Sequence, residues 1–184
     1  MTTRILSKEK IVLAAVDLIN HQENLTFTRL SRILGTRSQA LYNYFPDVMA
    51  IRIGVAIHFY NDLYQRLQAD LLGLSGKEAI KAFNKIFVQY SLSHYPVAQQ
   101  VIAIPAGKLH NDDLDAAILK IRNIGLKLLK PLVPDKKSRL VISRMLRNLI
   151  IGEIVHIGNG RFDNKTISAA DSFDQMLNIA LSTI

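Results

Sequence analysis

Apolar residues recur at helical spacing along nearly the whole chain, and this periodicity is what most restricts the fold. Ile11, Ala14, Ala15, Leu18 and Ile19 fall at i, i+3, i+4, i+7 and i+8, one stripe of a helix. Ser7 is placed to cap it, Glu9 sits in the favourable first turn, and the helix should end near His21, with Asn24 taking the left-handed turn. Thr26 begins a second helix with Leu30 and Leu34 inward, and Gly35 stops it. A third, short helix covers about 38–44, with Leu41 and Phe45 inward; Pro46-Asp47 breaks it and Asp47 caps the next. That next helix runs from about Val48 to Leu72, about 37 Å at 1.5 Å per residue. Ser75 with Glu78 forms a capping-box pattern for a fifth helix to about His94, and Pro96 and Pro105 bracket a sixth. Asn111 with Asp112, Asp113 and Asp115 opens a seventh, Pro134-Asp135 an eighth to about Ile157, and Ser168 with Asp171 a last one to Ser182. With no strand alternation, no repeat and no low-complexity tract, the chain reads as all-α.

Hydrophobic residues make up 49% of 184, which excludes a disordered chain and predicts a large core plus an interface. No run of 18 apolar residues reads as a spanning helix, and MTTRILSKEK lacks the apolar stretch of a secretion signal. The absence of cysteine excludes disulfides, thiolate catalysis and cysteine-ligated zinc, and makes the cytoplasm the expected compartment. The net charge of +8 favours polyanionic partners such as nucleic acid. It is spread out, with six basic groups against four acidic in residues 1–50, five against three in 51–100 and twelve against eight in 101–184. Charge alone therefore does not locate a binding face.

The stretch LTFTRLSRILGTRSQALYNYF, residues 25–45, carries more information. A helix-turn-helix needs two helices that cross closely, hence a small residue in the first (Ser31) and, four residues on, a turn of positive φ that glycine supplies cheaply (Gly35). Leu30, Leu34 and Leu41 would lock the pair, leaving the second helix to enter a major groove with Ser38, Gln39, Tyr42 and Asn43 outward. An ordinary helical hairpin in a core satisfies the same spacing.

Leu41-Tyr42-Asn43-Tyr44-Phe45, the capped long helix behind it and the Ala14-Ala15 pair ahead resemble the TetR (tetracycline-repressor-like) family of transcription regulators, over residues 4–53. The resemblance implies an N-terminal three-helix head (1–47) that binds DNA, joined by a long helix to a regulatory body (48–184) that dimerises through its last two helices and binds a small effector. Carried onto this sequence, it implies that Thr26, Thr28 and Arg29 reach phosphates, Ser38, Gln39 and Asn43 contact base edges, and Tyr42 and Tyr44 position the sugar-phosphate chain. Arg4 and Lys8 would add phosphate contacts from the arm. The chain departs from the family at Thr36, usually apolar, at Arg37, usually Ser or Thr and here a stronger phosphate donor, and at Val48, commonly Lys.

In the body, Leu146, Leu149, Ile150, Ile154 and Ile157 of the eighth helix and Phe173, Met176, Leu177, Ala180 and Leu181 of the ninth are apolar enough for a four-helix interface between two copies. Candidate ligand groups are His58 and Phe59 on the fourth helix, Phe87, Tyr90 and His94 on the fifth, and Glu153 and His156 on the eighth. An aromatic stripe at helical spacing also describes plain core, and Glu153 with His156 also describes a pair satisfied by neighbours. Nine basic residues against Asp135 alone in 120–147 read as an anion-binding or simply solvated face. His110 with its neighbouring aspartates reads as capping before it reads as a cation site. No metal motif, phosphate-binding loop or nucleophile elbow is present, so no cofactor and no enzyme activity are implied. The expected function is a ligand-responsive, one-component repressor that reads a near-palindromic operator as a dimer; the alternative is a co-regulator that works through a partner protein.

Overall fold

The computed structural model describes residues 6–105, 111–182 and 184. Every regular element among them is helical: α1 Lys8–Asn20, α2 Phe27–Leu34, α3 Ser38–Leu41, α4 Val48–Asp70, α5 Gly76–Ser93, α6 Tyr95–Ile102, α7 Asp112–Leu129, α8 Lys136–Gly158 and α9 Ala169–Ser182. None is long and apolar enough to cross a membrane.

The helix starts are held by the caps the sequence announces. Ser7 Oγ accepts from the Lys10 amide (3.2 Å), Thr26 Oγ1 from Arg29 (3.2 Å) and Asp47 Oδ1 from Ala50 (2.7 Å). Asn111 Oδ1 accepts from Leu114 (3.0 Å), Asp135 Oδ2 from Ser138 (2.7 Å) and Ser168 Oγ from Asp171 (3.1 Å). Each such cap is worth about 1 kcal/mol. Two local expectations fail. The left-handed residue after α1 is Gln22 (φ 56°), not Asn24, because the amides of Gln22 and Glu23 turn back to the Ile19 and Leu18 carbonyls as soon as the apolar stripe ends. Ser75 makes no side-chain cap bond, and Gly76 enters α5 at φ 59°.

The chain divides into two compact units, residues 1–61 with 96–115 and residues 62–95 with 116–184. In the first, α2 packs against both α1 and α3. Ile11, Ala15 and Ile19 of α1, Leu30 of α2 and Leu41 of α3 are all buried, and burial of each large aliphatic contributes about 2 kcal/mol. Gly54 permits a close approach of α4 to α1: a Cβ there would stand 2.9 Å from Val12 Cγ2. The buried stripe of α4 steps by four residues through Ile51, Val55, Phe59, Leu63 and Leu67, so the helix supplies core to each unit in turn.

In the second unit, α5 packs on α8 and α9, and α8 on α9. Ile80, Val88, Leu146, Ile150, Ile154, Phe173, Leu177, Ala180 and Leu181 form its core, and Lys85 pairs with Asp174 across α5 and α9. Seven apolar residues of α8 and α9 expected at an intermolecular interface, namely Leu146, Ile150, Ile154, Phe173, Leu177, Ala180 and Leu181, are thus spent inside the unit. Three helices must share one core, and the residues facing α5 are the first to be consumed. Tyr95 lies flat on the end of α8: a Cβ at Gly158 would fall 1.9 Å from its ring, and its hydroxyl donates to Asn159 Oδ1 (3.1 Å).

That seat gives a direct test. Gly158→Ala should destabilise the protein by about 1–3 kcal/mol in urea unfolding, because the ring must leave. In a Tyr95→Ala background the same substitution should cost only a few tenths of a kcal/mol, the signature of a single shared contact.

Candidate functional site

The turn between α2 and α3 is built from three local facts. Gly35 takes φ 64°, and the Thr36 amide behind it donates to the Ser31 carbonyl (2.9 Å). Ser31 is buried and its hydroxyl donates to the Thr28 carbonyl (3.0 Å). Having spent its proton there, Ser31 Oγ accepts from Ser38 Oγ, also 3.0 Å away. The small residue that the crossing requires therefore also bonds the two helices together. On the far side Tyr42 stacks on Phe27, ring centroids 4.3 Å apart.

This geometry sorts the candidate contact residues. Thr26, Thr28, Arg37, Gln39, Tyr42 and Asn43 are exposed, and Tyr42 keeps 51% of its surface despite the stack. Arg29 is half-buried and paired with Glu23. Ser38 is half-buried, and its hydroxyl is hydrogen-bonded to Ser31. Tyr44 is half-buried, and its hydroxyl donates to the Leu6 carbonyl (2.8 Å), which ties down the chain entering α1. Regular helix in α3 ends at Leu41, so Tyr42 and Asn43 sit in the turn that follows. Val48 is half-exposed at the start of α4, beside the Asp47 cap. Arg4 and His110 lie outside the described residues.

The candidate ligand groups are distributed over both units. His58 lines a cavity of about 610 Å³ in the first unit, with Lys8, Val12, Phe45, Gly54 and Asn61. Phe59 is buried in the α4 stripe, edge-on to Tyr60. In the second unit Tyr90 and His94 stack (centroids 4.4 Å apart) along a cleft of about 550 Å³ that also presents Asp62, Arg66 and Gln89. Burial, and then the Asp62 charge, push the Tyr90 phenol well above the usual tyrosine range. The His94 Nδ1–H donates to the Tyr90 carbonyl (2.9 Å). Phe87 packs on the core.

Glu153 is only 2% exposed, and neither of its oxygens has a hydrogen-bond partner among the described residues. Burial holds its carboxyl above the usual range. His156, one turn on, stacks on Phe162 with Nδ1 unpartnered, so the two do not satisfy each other. Two further groups escaped the sequence: Asn84 and Ser91, each 1% exposed on α5, whose Oδ1 and Oγ also lack partners. Their signal is a polar residue on the buried stripe of α5, Asn84 between Ile80 and Val88 and Ser91 just beyond Val88. In the basic stretch, Arg139 donates to the Val133 and Pro134 carbonyls, while Lys120, Lys127 and Arg144 are exposed. Among the described residues no group of three His, Asp or Glu side chains is arranged to hold a metal ion.

No family model matches the chain, and no curated protein matches it in sequence. Solved structures match along essentially its whole length. A protein of unknown function from Rhodococcus sp. RHA1 superposes with a TM-score of 0.84 at 12% identity, covering 100% of this chain and 98% of that one. FadR, a transcriptional regulator from Bacillus subtilis solved with stearoyl-CoA, gives 0.73 at 14% identity, covering 97% and 100%. The Q116A variant of TetR from Acinetobacter baumannii AYE, solved with minocycline, gives 0.72 at 18%, covering 97% and 96%. The chain has the all-α fold of TetR-family regulators, as its residues 4–53 resemble.

The state of Glu153 has a measurable consequence. Its folded-state pKa is raised, so the native state holds the proton more tightly than the unfolded chain. The stability this gives is complete below the unfolded pKa and is lost as pH rises through the folded one. Urea midpoints should therefore fall over that window in the parent protein. Glu153→Gln should lack this component of the fall and be at least as stable at neutral pH.

Proposed function

We propose that the chain is a ligand-responsive transcription regulator, acting as a one-component repressor, whose dimer reads a near-palindromic operator. The observation that carries this is the head: Gln39 and Asn43 stand exposed and unencumbered on a four-residue helix and the turn after it, held from behind by Leu41, Ser31 and Phe27. Gln and Asn pair bidentately with adenine in the major groove. Thr26, Thr28 and Arg37 flank them and supply phosphate contacts, and Tyr42 presents its hydroxyl from a fixed ring. Residues 1–47 serve as the DNA-binding head, residues 48–184 as the regulatory body in the cytoplasm. The neighbours solved with minocycline and with stearoyl-CoA support a small-molecule effector for this fold.

Dimerisation falls to the faces of α8 and α9 that their own core leaves over. Val141 (59% exposed) and the half-exposed Leu149 lie on one side of α8, in line with Gly152, where a Cβ would meet no side chain among the described residues. Met176 and Ile179 (70% exposed) share a face of α9. Apolar side chains this open, beside a glycine that admits a close helix, suit a second copy of the chain. Val48, in place of a basic residue at the start of α4, favours the second reading, a co-regulator that acts through a partner protein.

Genomic fragments selected by the purified protein decide between the two. Selected DNA should bind with an affinity that falls steeply with salt, tracking the phosphates neutralised. Gln39→Ala or Asn43→Ala should each cost about tenfold or more, with the fold intact. Failure to select any fragment at low salt would leave the co-regulator.

The dimer is tested separately. Ile179→Glu should shift the protein toward monomer in sedimentation at micromolar concentration, and an unchanged dimer would move the interface off α9.

A further inference from the structure

Helix α4 carries two stripes. Ile51, Val55, Phe59, Leu63 and Leu67 are at most 5% exposed and supply the cores. Ala50, Ile53, Gly54, Ile57, His58 and Asn61, at i, i+3, i+4, i+7, i+8 and i+11, form a second face that stays half-exposed. All six line the cavity of about 610 Å³ in the first unit, together with Val12 and Leu13 of α1 and Phe45 from the turn after α3. One wall is tight: at Gly54 a Cβ would stand 2.9 Å from Val12 Cγ2 and 3.5 Å from the Phe45 ring. Leu13 is 46% exposed. Half-open aliphatic side chains gathered in one cavity differ from apolar residues scattered over a surface, and the volume is that of a small-molecule site.

The second stripe changes character along its length. Its first two turns, Ala50 to Ile57, are apolar, and its last brings His58 and Asn61. From Ala50 to Asn61 is about 16 Å at 1.5 Å per residue. The complement is therefore elongated, apolar along most of its length and polar at one end. The charge of that end follows from the lining. Lys8, Glu9 and Asp113 are all exposed, one cation against two carboxylates. A charged head would lose hydration there with no buried counter-charge to offset the loss. A neutral hydroxyl costs far less to desolvate, and the Asn61 amide offers it both a donor and an acceptor. We propose that this cavity binds an uncharged amphiphile of the class of a medium-chain alcohol, its tail against Ile53 and Ile57 and its hydroxyl at Asn61. The site lies in the unit that contains α2 and α3, and Tyr44 and Phe45 of its wall directly follow Asn43 in the chain. It goes beyond the regulator reading, because it requires no DNA binding.

The test uses the full chain without DNA. Isotope-labelled protein is titrated with primary alcohols from hexanol to decanol and with the carboxylates and amines of equal length, and amide chemical shifts are followed. At least one alcohol should give saturable shifts confined to the cavity, the amides of Leu13, Gly54 and Ile57 among them. Its affinity should exceed that of its carboxylate and its amine by about tenfold or more. Ile57→Trp, which fills the cavity, should lower the affinity at least tenfold, and Asn61→Leu about threefold or more, the loss of one hydrogen bond. Ala50→Phe fills the cavity from the other end of the stripe and keeps the test decisive where Ile57→Trp fails to fold. No saturable shift with any alcohol, equal affinity for the carboxylate or the amine, or wild-type affinity in the folded filling variants would overturn the proposal. Because the readout does not involve DNA, fragment selection can fail while the alcohol titration stands, and the reverse.

Discussion

A helix of four residues has no stability of its own. Isolated helices shorter than about 12–15 residues are marginal in water, and Ser38–Leu41 is a single turn. It exists because its neighbours leave it no alternative. Leu41 is fully buried, Ser38 is bonded to Ser31, Gly35 fixes the chain reversal, and Tyr42 lies against Phe27. Those four constraints involve none of the exposed polar groups of Gln39 and Asn43. The head thus separates the side chains that build the platform from those left to meet a partner, the arrangement that lets a binding group be held precisely enough to discriminate.

The fully buried polar residues are not all handled alike. Ser31, in the first unit, donates to one group and accepts from another. Asn84, Ser91 and Glu153, in the second, leave acceptors open inside an apolar core. A chain selected only for stability would replace them, since an apolar residue of similar shape costs less than an unsatisfied polar one. Departures from local consistency of this kind collect where a protein gives up stability for a function. Surface lysines and arginines of residues 120–147 carry no such message, because they remain hydrated.

The sequence was legible where the physics is local. A cap joins residues three apart, so Ser7, Thr26, Asp47, Asn111, Asp135 and Ser168 could all be read before any tertiary contact was known. Gly35 was legible because a positive φ at a known offset from Ser31 admits few residues. Gln22 was not, because the reversal after α1 falls where the apolar contacts stop, and a glutamine there overrides its own preference. The internal bonds of Ser38 and Tyr44 are not legible for the opposite reason: each polar atom finds its partner far along the chain, Ser31 seven residues away and Leu6 thirty-eight. Asn84 and Ser91 acquire meaning only once α5 is known to press on α8. Exposure of a polar group is a tertiary fact, and a helical wheel drawn on one helix cannot supply it.

Under the proposed role, α4 is where an effector must act, since its first half belongs to one unit and its second to the other. The helix contains no proline, and its one glycine, Gly54, faces Val12 with no room for a methyl group. A shift of α4 at that point would press on Val12 of α1. Thermodynamics then sets the remaining condition. An effector that binds DNA-free and DNA-bound protein equally well would change nothing, however tightly it was held. To release an operator it must prefer the DNA-free form, and the factor by which it weakens DNA binding equals the factor by which DNA weakens its own.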